Sequence, residues 1–387
     1  MTHERTGREP EDGAVLQPRL PAPPMWLRWL PLLYVAGVLV LEPVTPVDWP
    51  VSFLLIGVPL VAAFSYGPLG VASATLFAIV FEGVLAGTPC CAGRSVGYLF
   101  DRHYVASYIC TALVGGLGTI LAAHRIRRER TLADLRFVAE VAQRVLLRPV
   151  PHRMGDLVLE SLYLSAAAEA RIGGDLYEAV PTPFGVRLVI GDVRGKGLLA
   201  VETAAALLGA FREAAYDEPD LLALTGRVDT SMCRRAQQLG GSETEERFVT
   251  AIFAEVPAAG GVVRVVNCGH PPPVSLPADG DVRELDSGRP APPLNLGMLV
   301  EDPYHVETYP FRPGDRLLLY TDGVTETRDA EGAFYPLLER LRAWGPLPPR
   351  ELLERLHDDL LAYSHTGLQD DTAALAVCLL PEEPPTG

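Results

Sequence analysis

The sequence is poor in positive charge. Its 387 residues include one lysine, Lys196, and 33 lysine and arginine residues together face 48 aspartates and glutamates, which leaves a net charge of −15. Proteins bind nucleic acid by displacing phosphate counterions with clusters of lysine and arginine. The acidic balance therefore argues against nucleic acid as a partner. It fits a basic or neutral partner, or a surface whose charge only keeps the protein soluble.

Cysteine is also sparse, and its spacing matches neither a metal site nor a disulfide framework. Adjacent Cys90 and Cys91 are expected in a loop between membrane spans, as two packed thiols. No cysteine sits beside a phosphate-cradling loop, so a thiol nucleophile is disfavoured. The six cysteines are Cys90, Cys91, Cys110, Cys233, Cys268 and Cys378.

Charge of either sign is almost missing from the first third of the chain. Residues 1–123 hold six arginines against eight acidic residues, whereas residues 124–387 hold 27 basic and 40 acidic residues. Four apolar stretches reach or approach the roughly 20 residues that a helix needs to cross a membrane. They cover residues 26–42, 51–66, 68–87 and 104–123.

A signal peptide would be followed by a soluble chain, and a buried helical core would show polar stripes. We therefore expect an all-α transmembrane region of about four helices at 26–123, after a cytoplasmic tail at 1–25. Four arginines in residues 124–130 follow the last stretch, which predicts a cytoplasmic location for the body of the protein. Arg94 and Arg102, in the predicted outer loop, run against this pattern. The exact number of membrane spans stays open.

An amphipathic pattern follows the apolar region. Residues 131–148 repeat apolar side chains at three- and four-residue spacings, and Pro149 and Pro151 end the pattern. We expect a signalling or linker helix within 124–150. Such a helix is either a spacer or a seam that pairs with a second copy of the chain, and we prefer the homodimer.

Short β-type runs begin near residue 157 and surround two helical stretches, 198–216 and 221–239. This order predicts an α+β layered domain at 151–381 instead of alternating βαβ units. The β-type runs cover residues 157–167, 185–193, 248–256, 261–269, 316–323 and 372–380.

Aspartates stand at the ends of these runs, beside glycine or threonine. The segments are Gly173-Gly-Asp, Ile190-Gly-Asp-Val-Arg-Gly-Lys-Gly197, Tyr320-Thr-Asp-Gly and Asp370-Asp-Thr. Carboxylates gathered at one end of a sheet would repel each other unless cations lay between them, and all-oxygen ligands favour Mg²⁺ or Mn²⁺. Zinc is disfavoured because no Cys or His pair accompanies these segments.

Seven motifs in this order resemble those of the bacterial protein phosphatase 2C-like (PPM) class, of the stage-II-sporulation E and sigma-factor-regulating type. The resemblance covers roughly residues 130–380. The motifs are AEARIGGDLYE (168–178), VIGDVRGKGLLA (189–200), FVTAIFAEV (248–256), VNCGHPPP (266–273), LNLGM (294–298), RPGDRLLLYTDGVTETRDAEG (312–332) and DDTAALAV (370–377).

The resemblance implies a four-layer α/β/β/α sandwich and a protein serine/threonine phosphatase that uses two Mn²⁺ or Mg²⁺ ions. Its implied substrate is a phosphoserine on an anti-anti-sigma-type regulator. Asp192 would bridge both ions and Asp322 would join it in catalysis. The implied metal ligands are Asp192, the Val193 carbonyl, Asp322 and Asp370, with Asp175 as a ligand or close neighbour, and with Asp371 where many relatives have asparagine.

Two basic residues near the motifs have open roles. His270 could protonate a leaving group, but a structural role at the strand end is preferred. Lys196 could contact phosphate or carry a solvated charge. Two rival functions also remain: a catalytically silent membrane receptor with a phosphatase-like docking domain, and a hydrolase of small phosphorylated lipids or nucleotides.

Overall fold

The computed structural model describes residues 25–41, 44, 51–87, 99–165, 173–239, 248–289, 291–365 and 367–381. The predicted N-terminal tail up to residue 24, the loop with Cys90, Cys91 and Arg94, and part of the first motif lie outside the described residues. The chain divides into two compact units, residues 1–137 and residues 138–387.

Most of the described residues of the first unit are helical, and each predicted apolar stretch lies mostly in helix. Within the described residues, two helical segments, Pro68–Gly87 and Arg102–Leu135, have the length and composition to cross a membrane, and two apolar helices are shorter. The elements are α1 (Met25–Leu41), a 3₁₀ helix (Val51–Ile56), α2 (Gly57–Ser65), α3 (Pro68–Gly87) and the start of α4 (Arg102–Leu146).

Arg125 on α4 binds the C-terminal end of α2. Its Nη1 donates to the carbonyl oxygens of Ala63 at 2.8 Å and Phe64 at 2.7 Å. The last carbonyls of a helix lack partners within that helix, and they attract cations. One of the four arginines that suggested orientation therefore also has a packing role in this unit.

Helix α4 runs without a break from Arg102 to Leu146, a length of 45 residues. Residues 131–146 of the predicted linker helix 131–148 form the last part of this helix, and its final two residues lie beyond the end of the helix. The predicted boundary at residue 124 falls inside it. The helix ends three residues before Pro149, which cannot continue the hydrogen-bond ladder.

The second unit contains two antiparallel sheets. The six-stranded sheet has the order β1-β2-β11-β10-β7-β8, and the five-stranded sheet has the order β3-β4-β5-β6-β9. The strands are β1 (Arg153–Met154), β2 (Leu157–Leu164), β3 (Leu176–Thr182), β4 (Gly185–Val193), β5 (Val249–Pro257), β6 (Val262–Cys268), β7 (Val274–Leu276), β8 (Arg283–Glu284), β9 (Glu307–Pro310), β10 (Arg316–Tyr320) and β11 (Thr372–Leu379).

Helices cover the outer face of each sheet. Helices α5 (Leu198–Asp217) and α6 (Leu221–Leu239) pack on the five-stranded sheet, and α9 (Pro349–Tyr363) packs on β2 and β11. Two further helices, α7 (Asp322–Thr325) and α8 (Leu337–Trp344), lie between β10 and α9 in the chain. The layers are therefore α/β/β/α, which confirms the predicted fold class.

Two apolar cores hold these layers together. One core fills the space between the sheets and beneath α5 and α6, with residues such as Leu159, Leu188 and Phe253. The other lies between the six-stranded sheet and helices α8 and α9, with residues such as Leu318 and Leu356. Because β10 and β11 alternate their side chains between these cores, packing fixes both faces of the two strands that Asp322 follows and Asp371 precedes.

A buried ion pair joins β4, β5 and the end of α5. Arg187 is fully buried, its Nε donates to Glu255 at 2.8 Å, and its Nη1 donates to the Ala215 carbonyl at 2.9 Å. Nη1 and Nη2 also bind the Glu218 and Pro219 carbonyls. A buried charge is tolerated only when its donors are satisfied in this way. Arg187 thus fixes the turn between α5 and α6.

Removing this guanidinium should be costly. We expect Arg187→Met to lower the free energy of unfolding by about 3–5 kcal/mol, because the buried Glu255 would lose its buried partner and keep only the partly exposed Arg264. The double variant Arg187→Met/Glu255→Leu should recover part of the loss. The measurement is urea unfolding of the purified chain, with Arg227→Met as control, since Arg227 pairs with three carboxylates at an exposed site. Equal effects of the two single variants would contradict this account.

Candidate active site

The predicted aspartates meet at one end of the two sheets. Asp192 is the penultimate residue of β4, and Asp175 immediately precedes β3, which pairs with β4 in antiparallel register. Asp322 begins α7 directly after the Thr321 that follows β10, and Asp371 immediately precedes β11. Since β10 ends where β11 begins, the four strand ends face the same side of the sandwich.

Asp175 is buried and held by the chain segment that carries Asp322. The Thr321 hydroxyl donates to Asp175 Oδ2 at 2.7 Å, and only 4% of Asp175 is exposed. The Thr321 Oγ1 also accepts a hydrogen bond from the Ala373 backbone at 2.9 Å. One hydroxyl therefore connects both sheets at the site.

Asp371 is held from two sides. The Tyr163 hydroxyl at the end of β2 donates to Asp371 Oδ2 at 2.6 Å, and the Gly173 backbone N–H donates to the same oxygen at 2.7 Å. A Cβ at Gly173 would lie 2.0 Å from this oxygen, and a Cβ at Gly323 would lie 2.0 Å from the Asp371 carbonyl oxygen. Only glycine can occupy these two positions in this backbone.

Asp370 pairs with the positively charged side chain of Lys196. Lys196 Nζ lies 2.8 Å from Asp370 Oδ1, and the same oxygen accepts the Asp371 backbone N–H at 2.9 Å. Both side chains are partly exposed, at 35% for Lys196 and 44% for Asp370. The lysine therefore reaches the carboxylates and does not extend into solvent alone.

Burial and mutual repulsion raise the pKa values of the grouped carboxyls. The pKa of Asp192 rises to about 7, first because of burial and then because of the charges of Asp322 and Asp370. Burial raises the pKa of Asp175 well above its ordinary value, and Asp192 adds to that effect. Burial, followed by Glu326 and Asp370, raises the pKa of Asp322. These shifts show that the site concentrates negative charge that the protein alone does not fully neutralise.

The chemistry of these donors fits a hard divalent cation. The set consists of carboxylate oxygens, and among the described residues Lys196 is the cation shown in contact with it. Within the described part of the chain, however, no three His, Cys, Asp or Glu side chains converge in the geometry of a metal site. A side-chain hydrogen bond between Asp175 and Asp192 and the Lys196–Asp370 pair offset part of the repulsion among the carboxylates in this arrangement.

Val193, the predicted carbonyl ligand, closes the end of β4. Its backbone N–H donates to the Gly174 carbonyl at 3.2 Å, and a Cβ at Gly174 would lie 2.3 Å from the Val193 carbonyl oxygen. The carbonyl is therefore next to the segment that carries Asp175. Its role as a ligand stays a prediction, as do the ligand roles of the five aspartates.

His270 has the geometry of a structural residue. Its Nε2 donates to the Tyr320 carbonyl at 3.1 Å, so its Nδ1 accepts from the Thr250 hydroxyl at 3.0 Å. Burial lowers the pKa of His270 to about 3, so the ring is neutral at physiological pH. With both nitrogens occupied, it connects β5 to β10, as the preferred interpretation of the sequence expected.

The sequence did not identify three residues that support the carboxylates: Thr321, Tyr163 and Gln143. Thr321 stands inside a motif that had already been singled out, so its position was the available signal. Tyr163 and Gln143 lie in ordinary strand and helix patterns, and only the fold brings them to the site.

Comparison with known proteins shows relatives of the second unit. A family model described as Stage II sporulation protein E (SpoIIE) matches residues 182–380. The phosphoserine phosphatase RsbP of Bacillus subtilis is 26% identical over 200 residues, which cover 51% of this chain and 46% of RsbP. Protein IcfG of Synechocystis is 29% identical over 134 residues, which cover 34% of this chain and 20% of IcfG. The chain thus spans less than half the length of either relative.

Solved structures share the fold. The RsbU and RsbW domains of Rv1364c from Mycobacterium tuberculosis match with a TM-score of 0.51 and 25% identity, over 62% of this chain and 64% of that one. The SiaA-PP2C domain of Pseudomonas aeruginosa matches with a TM-score of 0.52 and 19% identity, over 65% of this chain and 98% of that one.

The raised pKa of Asp192 predicts how the stability of the cation-free chain depends on pH. Between about pH 4 and pH 7 the folded chain keeps a proton that the unfolded chain releases, so folding stability falls as the pH rises. One such proton gives a slope of about 1.4 kcal/mol per pH unit.

The measurement is urea unfolding in chelator across this window. Asp192→Asn carries no titrating carboxyl at this position, so its stability relative to the wild type should increase from pH 4 to pH 7 and level off outside these limits. Parallel profiles of the two proteins would show that Asp192 does not hold the proton.

Proposed function

The chain belongs to the stage II sporulation protein E (SpoIIE) family and is homologous to serine/threonine phosphatases of the protein phosphatase 2C type, and on this basis we propose that it is a membrane-anchored, metal-dependent protein phosphatase. The observation that carries the proposal is the gathering of Asp175, Asp192, Asp322, Asp370 and Asp371 at one end of the sandwich, with pKa values raised at Asp175, Asp192 and Asp322.

Asp192, Asp322 and Asp370 are the residues that would hold Mn²⁺ or Mg²⁺, two ions by resemblance to the family. Bound divalent cations at such a site supply Lewis-acid activation of water and of the phosphoryl group. The side chains of the protein position and balance the charge: Thr321 fixes Asp175, and Lys196 adds one positive charge beside Asp370. We also propose that Lys196 contacts the substrate phosphate.

The other candidate chemistries have weaker support in the described residues. Burial raises the pKa values of the Cys233, Cys268 and Cys378 thiols, which disfavours the reactive thiolate. His270 is neutral, and both of its ring nitrogens are already bonded. Direct hydrolysis at the carboxylate site is thus the mechanism that the residues favour.

The proposed substrate is a phosphoserine on an anti-anti-sigma-type regulatory protein, so that dephosphorylation switches the regulator between partners. The similarity to RsbP, which is named a phosphoserine phosphatase, supports this choice. Because the chain covers less than half of RsbP, the regulatory context of that protein is carried over only as part of the proposal.

Catalysis should depend on the aspartates and on added metal. We expect the full chain in detergent or nanodiscs to hydrolyse a phosphoserine peptide with Mn²⁺ or Mg²⁺, and to lose this activity in chelator. Asp192→Asn should reduce the rate at least about a hundredfold, because the site depends on positioning and charge. Asp229→Asn is the matched control, since Asp229 is another partly buried aspartate, on α6, whose side chain accepts the Asn295 backbone N–H.

Each rival function has a distinct outcome in the same assay. Full activity in excess chelator would contradict the metal mechanism, and inactivity of the wild type with metal on every phosphoprotein tested would favour the silent receptor. Preference for free nucleotides or phosphorylated lipids over the phosphoserine peptide would favour the small-substrate hydrolase.

The membrane part of the proposal places the second unit in the cytoplasm. It is supported by the two helical segments of sufficient length and by the arginines that follow residue 123. A reporter fused after Arg130 should show cytoplasmic behaviour, and one inserted near Arg94 should behave as external. External behaviour of the first fusion would overturn this orientation.

A further inference from the structure

Gln143, near the end of α4, lies beside the two residues that hold Asp371. It is only 6% exposed, and its Nε2 donates to the Tyr163 hydroxyl at 2.7 Å and to the Gly173 carbonyl at 3.3 Å. Within the described residues, Tyr163 and Gly173 each donate to Asp371 Oδ2. One amide group therefore contacts two residues that bind the same carboxylate oxygen.

The direction of these hydrogen bonds follows from the chemistry of the groups. An ionised carboxylate only accepts, so the Tyr163 hydroxyl must give its proton to Asp371. The phenol oxygen is then left to accept, and the Gln143 amide supplies the donor. The order of donation is therefore Gln143 to Tyr163 to Asp371.

Asp371 is in turn connected to the exposed edge of the site. Its backbone N–H donates to Asp370 Oδ1, the oxygen that also binds Lys196. This hydrogen bond links the backbone of Asp371 to the side chain of Asp370. A change in the position of Asp371 would therefore also move the Asp370 carboxylate. The chain of contacts joins the end of α4 to a proposed cation ligand without passing through α5 or α6.

We propose that Gln143 and Tyr163 are positioning residues that orient Asp371 and Asp370 and thereby set the affinity of the site for divalent cations. This inference rests on the proposed function, because it assumes that the aspartates bind metal. It assigns to the last turn of α4 a direct part in cation binding.

The test measures Mn²⁺ binding by electron paramagnetic resonance on the full chain in nanodiscs, together with the Mn²⁺ concentration for half-maximal activity. Tyr163→Phe and Gln143→Met each remove one link, so each should raise the dissociation constant for Mn²⁺ about three- to tenfold, as expected for one lost hydrogen bond. Gln143→Glu should have a larger effect, because its carboxylate would accept the Tyr163 proton and take it away from Asp371.

The matched control is Tyr177→Phe. Tyr177 is also buried, on β3 in the same core, but its hydroxyl bonds the Ser161 side chain and not a carboxylate of the site. This control should leave Mn²⁺ binding unchanged. The double variant Gln143→Met/Tyr163→Phe should weaken binding no more than the stronger single variant, because both changes interrupt one pathway.

The outcomes separate this inference from the function on which it rests. If the wild type binds no Mn²⁺, the proposed metal mechanism fails and the positioning role fails with it. If the wild type binds Mn²⁺ but Tyr163→Phe and Gln143→Met bind it equally well, only the positioning role is overturned. Additive losses in the double variant would also contradict it, since they would indicate two independent structural effects.

Discussion

Repulsion among carboxylates at one end of the sandwich is the constraint on which the rest of the site depends. Burial raises the pKa values of Asp175, Asp192 and Asp322, and neighbouring carboxylates raise these values further. Hydrogen-bond donors around the site offset part of this repulsion. Thr321 donates to Asp175, Lys196 donates to Asp370, and the Tyr163 hydroxyl and a backbone N–H donate to Asp371. The strands and both apolar cores hold these donors in place, so a fold with many antiparallel pairings supports a site with unfavourable charge.

Much of this arrangement could be predicted from the sequence, because the strongest patterns coincide with the elements that carry the aspartates. Strand β4 and helix α6 begin and end where the patterns indicated, and the layered fold followed from a resemblance in motif content and order. Helices α8 and α9 were not singled out as elements, although leucines at helical spacing follow Pro349. Short strands such as β7 and β9 carry too few residues for a period of two to be recognised.

The support of the carboxylates was less accessible to sequence reasoning, for a physical reason. Gln143, Tyr163 and Asp371 are separated by 20 and 208 positions, and a single polar residue in a helix or strand gives no local sign of its partner. A sequence motif identifies the residues next to the reacting groups. The hydrogen bond between Tyr163 and Asp371, in contrast, depends on the register of β2 against β11. The pairing of Leu164 with Thr372 is what brings the Tyr163 hydroxyl to the residue before β11.

The absence of space around Asp371 has a consequence for how such sequences can diverge. Gly173 and Gly323 approach this residue so closely that an added methyl group would lie 2.0 Å from its side-chain or carbonyl oxygen. A chain that replaced Gly173 would therefore have to shorten or remove the side chain at 371, or shift the backbone that carries Asp175. In natural variants of this protein, positions 173 and 371 should change together, and position 323 should tolerate change only with a shift of the start of β11.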